Sequence, residues 1–103
     1  IRPWIAHTEL GLALIDLEQE NYFSVIRHLE SAEKIYKKHC HTWGLIHTKL
    51  IKIQVAFLQK GSFSQELYNE LYHKCKKYGY SYVLEMLSKL QNNECDTTSL
   101  MFL

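Results

Sequence analysis

Apolar residues along this chain recur every three or four positions, not every two. In ENYFSVIRHLESAEKIY, Tyr22, Val25, Ile26, Leu29, Ala32 and Tyr36 make one stripe, with Arg27, Glu30, Lys34 and Lys37 on the other side. Two further segments, WIAHTELGLALIDL and LIHTKLIKIQVAFL, keep the helical spacing but are apolar on more than one face. Ile5, Leu10, Leu12, Ala13, Leu14, Ile15 and Leu17 belong to the first. Leu45, Ile46, Leu50, Ile51, Ile53, Val55, Phe57 and Leu58 belong to the second. A helix apolar nearly all round is normally buried between neighbours, so these two are expected to be inner helices and the others more amphipathic. Strand alternation does not persist anywhere.

The punctuation between stripes fits helices over about 3–19, 22–39, 43–60, 64–78 and 80–92. Pro3 suits a first helical turn. Asn21 is placed to cap the second helix and Thr42 the third. Gly61 ends the third, and Ser62 with Gln65 has the spacing of a capping box for the fourth. Gly79, after Lys76-Lys77-Tyr78, reads as a left-handed stop. The polar stretch NNECDTTS then leads to an apolar end, Leu100-Met101-Phe102-Leu103. The expectation is an all-α domain over 1–92 with a tail over 93–103.

Two turns repeat. Glu20-Asn21-Tyr22 aligns with Gly61-Ser62-Phe63 at an offset of 41 residues, each turn joining two helices and followed by an aromatic. A period of this size is the mark of a helical solenoid. The first unit resembles the tetratricopeptide repeat: Ala13 stands at the small site of the first helix, Asn21-Tyr22 at the turn, Leu29 at the large site and Ala32 at the last small site. Small residues let helix axes approach, and the aromatic fills the wedge between hairpins. The chain departs from that pattern at Glu20, where a turn glycine is usual, and at Val25, Gln54 and Glu66, where small residues are usual. Its period also exceeds the family's roughly 34 residues. Longer units, and a joint like KKHCHTWGLIHTKL, are similar to those in MalT-type transcription activators and bacterial signalling ATPases.

The resemblance implies a TPR-like α-α superhelix of two helical hairpins and a closing helix, acting as a protein–protein or intramolecular interaction module of a larger cytoplasmic regulator of transcription or signalling. The first residue, Ile1, fits a piece of such a protein. The partners implied are other domains of the same chain, a partner protein, or a second copy in a homodimer. The family's inward positions fall on His7, Leu10, Gly11, Leu14, Leu17 and Glu18, and on Thr48, Ile51, Lys52, Val55, Leu58 and Gln59. Six of these are large and apolar, so a cover is expected: the tail over 100–103 or another copy. The alternative is a sensor whose groove takes a peptide or small ligand.

Charge and chemistry narrow this further. Twelve basic and eleven acidic side chains give a net charge of +1, no electrostatic footprint for nucleic acid. No apolar run approaches the roughly 18 residues of a membrane span. Three cysteines, Cys40, Cys75 and Cys95, form no disulfide framework and suggest reduced thiols. Cys75 keeps register with Leu67 and Leu71, as a small core residue would. His39, Cys40 and His41, like His73 and Cys75, are spaced so that they do not share a helix face, and no zinc-spaced pair accompanies them. No metal or other cofactor is expected. Glu9 and Asp16 have no nucleophile near them in sequence, and no catalytic constellation is identifiable, so the chain does not read as an enzyme. Tyr68, Tyr72, Tyr78, Tyr80 and Tyr82 read as rings packed on the edge of the last hairpin with wet hydroxyls.

Overall fold

A computed structural model describes residues 4–94. The described residues form five helices and no strand: α1 (Trp4–Glu18), α2 (Tyr22–Lys38), α3 (Thr42–Lys60), α4 (Gln65–Tyr78) and α5 (Ser81–Gln91). Each expected helix is present, within two residues at either end. Pro3 and the apolar tail lie outside the described residues.

Two compact units divide the chain, one ending at Thr48 and the other beginning at Lys49, inside α3. In the first, α1 and α2 pack as an antiparallel hairpin. Ala6, Ala13 and Ala32 are fully buried there, beside Leu10, Leu14, Leu17, Val25 and Leu29. The alanines bring the helices close, and the leucines fill the space beside them. Ile35, Trp43 and Leu45 pack against Ala6, Ala32 and Tyr36, so the start of α3 closes this core. In the second unit, Tyr68, Leu71 and Cys75 of α4 are buried, as are Val83, Met86, Leu87 and Leu90 of the neighbouring α5. Cys75 is a core residue; burial pushes its thiol up to about 11. The Tyr68 hydroxyl donates to the Leu87 carbonyl at 2.9 Å, so this phenol is buried and spent on backbone, while Tyr78 and Tyr82 are exposed.

Helix ends account for most differences from the sequence reading. The fourth helix is capped by Ser64, whose hydroxyl accepts from the Leu67 N–H at 3.2 Å. Gln65 is the first helical residue, too early to serve a box with Ser62; it donates to Asn69 instead. Thr42 is already helical, and the residue before it caps α3: His41 Nδ1 accepts from the Gly44 N–H at 3.0 Å. Asn21 occupies the N-cap position of α2, but its side chain makes no capping bond.

The C-terminal ends of α1, α2 and α5 share one device. At the end of α1 the Glu20 N–H reaches the Leu17 carbonyl and the Asn21 N–H reaches that of Asp16. At the end of α2 the pairs are Cys40 to Lys37 and His41 to Tyr36; at the end of α5 they are Asn93 to Leu90 and Glu94 to Lys89. These are Schellman closures, and each needs its middle residue in the left-handed region. Gly79 takes that conformation after α4 without strain, as its position suggested. Glu20, Cys40 and Asn93 take it at φ 60°, 51° and 61°. A side chain there costs about 1–2 kcal/mol, least for Asn.

Glu20→Gly is therefore expected to stabilise the chain by up to about 1 kcal/mol, because glycine relieves the crowding but loses more chain entropy on folding. Denaturant unfolding measures this; a lower midpoint for the variant would show that Glu20 makes a compensating contact.

Candidate functional site

The groove positions fall out unevenly. Leu10, Leu14, Leu17, Thr48, Ile51 and Val55 are buried. Lys52 and Gly11 are half-buried, while His7, Glu18, Leu58 and Gln59 are exposed. Of the six large apolar groups for which a cover was expected, five are already buried within the chain, and Leu58 alone is exposed. Their spacing marks them as core residues as well as it marks a lining, because the same stripe serves either purpose.

The bare apolar surface lies elsewhere. On α1, Trp4, Ile5, Leu12 and Ile15 are exposed, Trp4 by 62%. Ile5, Thr8, Leu12 and Ile15 succeed one another at three- and four-residue spacings, and Trp4 stands four before Thr8, so they lie along one side of the helix over three turns. The buried set, Ala6, Leu10, Ala13, Leu14 and Leu17, runs along the opposite side. The helix thus has two apolar faces, and only one is in the core. On α2, Phe23 and Ile26 are exposed one turn apart. α3 was expected to be inner in the same way, and there Ile46, Leu50, Ile51, Ile53 and Val55 are buried.

Polar side chains of the first unit gather in two places. His28 of α2 sits between two carboxylates of α1: Nδ1 is 2.7 Å from Glu9 Oε2 and Nε2 is 3.4 Å from Asp16 Oδ2. The two acids were noticed in the sequence, and the histidine that joins them was not, because it lies on another helix. All three side chains are about one-quarter exposed. The arrangement links the two helices of the hairpin. It offers little to catalysis, since both ring nitrogens already face a carboxylate and no hydroxyl or thiol nucleophile is among their partners.

The second gathering surrounds Tyr36, a fully buried phenol whose oxygen is 2.5 Å from His7 Nδ1. Burial pushes the Tyr36 hydroxyl up to about 12, so it stays protonated and donates. Partial desolvation of the ring, then the neighbouring His41, hold His7 below the usual histidine range, which keeps Nδ1 an acceptor. Trp43 meets His7 edge-on at 5.3 Å and stacks on His47 at 4.1 Å between ring centroids. His47 is buried, donates from Nδ1 to the Trp43 carbonyl at 2.7 Å, and is also held below the usual range, chiefly by burial. These rings leave room for each other only because residue 44 is glycine: a Cβ there would overlap the Tyr36 ring. Among the described residues no three His, Cys, Asp or Glu side chains are grouped so as to hold a metal ion. The cluster is a packed joint of three helix segments, and the joint segment KKHCHTWGLIHTKL supplies most of it. Its contact with His7 was not legible in the sequence.

Among the described residues no helix is long and apolar enough to cross a membrane. Compared with family models, curated proteins and solved structures, the chain matches none.

Gly44→Ala is expected to destabilise the first unit by at least about 2 kcal/mol, since the methyl must displace a ring held on all sides. The cost should shrink in a Tyr36→Leu background, where no ring occupies the space. Urea unfolding of the single and double variants measures both. An unchanged midpoint for Gly44→Ala would mean that α3 can move off Tyr36 freely.

Proposed function

We propose that this chain is an interaction module: a TPR-like helical-hairpin domain that binds a protein, or another domain of its own chain, within a larger cytoplasmic regulator of transcription or signalling. The observation that carries this reading is the bare side of α1. Four large apolar groups, Trp4, Ile5, Leu12 and Ile15, lie together on one helix side. Soluble proteins seldom leave such a patch open without a use for it. Phe23 and Ile26 of α2 add to the exposed apolar surface of the same hairpin. The TPR-like reading rests on the hairpin itself, with Ala13 and Ala32 buried at the helix contact, and on the repeated turns at Asn21 and Ser62. Catalysis has no part in this reading, because the polar clusters are consumed in joining helices.

A photoreactive phenylalanine at position 15 or 23, with position 38 as control, tests the reading in cells that express the chain. A discrete protein adduct is expected from positions 15 or 23 and none from 38. If neither face position yields a protein adduct, and a metabolite instead raises the melting temperature, the chain is a small-molecule sensor and the proposal fails.

A further inference from the structure

The charge around the bare side of α1 says what kind of partner fits it. From Trp4 to Glu18 the helix carries Glu9, Asp16 and Glu18 and neither Lys nor Arg; Glu20 lies two residues beyond its end. Glu9 and Asp16 lie next to Ile5 and Leu12 on one edge of the apolar strip, and Glu18 lies next to Trp4 and Ile15 on the other, as a rotation of about 100° per residue requires. This distribution does not serve the helix. Carboxylates near a helix C-terminus oppose the macrodipole, and cations favour it. The other four helices follow that rule, with Lys37 and Lys38, Lys60, Lys76 and Lys77, and Lys89 in their last turns. α1 has no basic residue there. His28, set against Glu9 and Asp16, leaves Glu18 and Glu20 at this end exposed.

We infer that the outer side of α1 binds a cationic amphipathic helix, whose apolar face covers Trp4, Ile5, Leu12 and Ile15 while its Lys and Arg side chains reach the exposed carboxylates Glu18 and Glu20 at the end of the helix. This rests on the interaction-module reading and specifies its partner. Three turns of exposed apolar strip match a partner helix of comparable length, read at three- and four-residue spacings. Charged rims contribute mostly to selectivity and to the rate of encounter, while the apolar strip contributes most of the affinity. An anionic membrane surface is disfavoured by the same carboxylates that favour a cationic helix.

The test uses the 103-residue chain and a fluorescent synthetic helix of about 18 residues, roughly five turns, with Leu on one side and Lys on the other. Saturable binding by anisotropy is expected. The same peptide with Glu for Lys should bind at least about tenfold more weakly, and raising salt should narrow the difference. Leu12→Ser with Ile15→Ser should weaken the Lys peptide by at least about tenfold, and Glu18→Gln by a smaller factor, with helix content unchanged by circular dichroism. Equal binding of the two peptides, or no effect of the α1 substitutions, overturns the assignment. So does a dimer by light scattering that the same substitutions dissolve, or sedimentation with phosphatidylglycerol vesicles: either names a different occupant. If α1 variants bind normally but position 23 still crosslinks to a protein in cells, the interaction-module reading stands and the α1 assignment alone falls.

Discussion

The first unit depends on the seat of one ring. Tyr36 is fully buried near the end of α2, its hydroxyl on His7 of α1 and its face against the backbone at Gly44 of α3. A buried phenol needs both a partner for its oxygen and matched packing for its ring. Here the two requirements are met by different helices, so one side chain ties three elements. The Schellman closure at Cys40 follows from this geometry, since His41 must leave α2 and at once cap α3. Thr48 and His47, bonded to the Gly44 and Trp43 carbonyls, reinforce the first turns of α3.

With the hairpin fixed by its alanine contacts and by Tyr36, the outward side of α1 is determined. Turning Ala6, Leu10, Ala13, Leu14 and Leu17 inward leaves Trp4, Ile5, Leu12 and Ile15 outward. A helix with a wholly polar outer face would fold as well and be more soluble. The apolar outer face is a cost in solubility, which is why it argues for a partner.

The helices were legible because their stripes are long and their period is unambiguous, as at Tyr22, Val25, Leu29, Ala32 and Tyr36. Cys75 was legible as core for the same reason. The caps were less so: Ser62 with Gln65 has the spacing of a capping box, but the chain stays outside the helix through Ser64, which takes the cap. Glu20 was visible as a missing glycine, but Cys40 and Asn93 gave no sign of a strained φ. In the site, Ile5, Leu12 and Ile15 were identified as apolar positions of α1 but Trp4 and Ala6 were not, and a helix apolar on two sides does not announce which side is bare. The family resemblance put Leu10, Leu14 and Leu17 on a groove lining, and in the structure these three side chains are buried. The His28 bridge and the His7–Tyr36 bond join residues 19 and 29 positions apart, and no local pattern encodes such pairs.

The central claim is that the outer side of α1 is open in the chain by itself. Trp4 reports on it directly, because the chain has two tryptophans and Trp43 can be replaced by phenylalanine with a ring still stacked on His47. Acrylamide quenching of Trp4 fluorescence in the Trp43→Phe variant is the decisive measurement. A quenching constant close to that of free indole, with red-shifted emission, is the predicted result. Blue-shifted emission protected from acrylamide would show that this side is already covered, and would contradict the account.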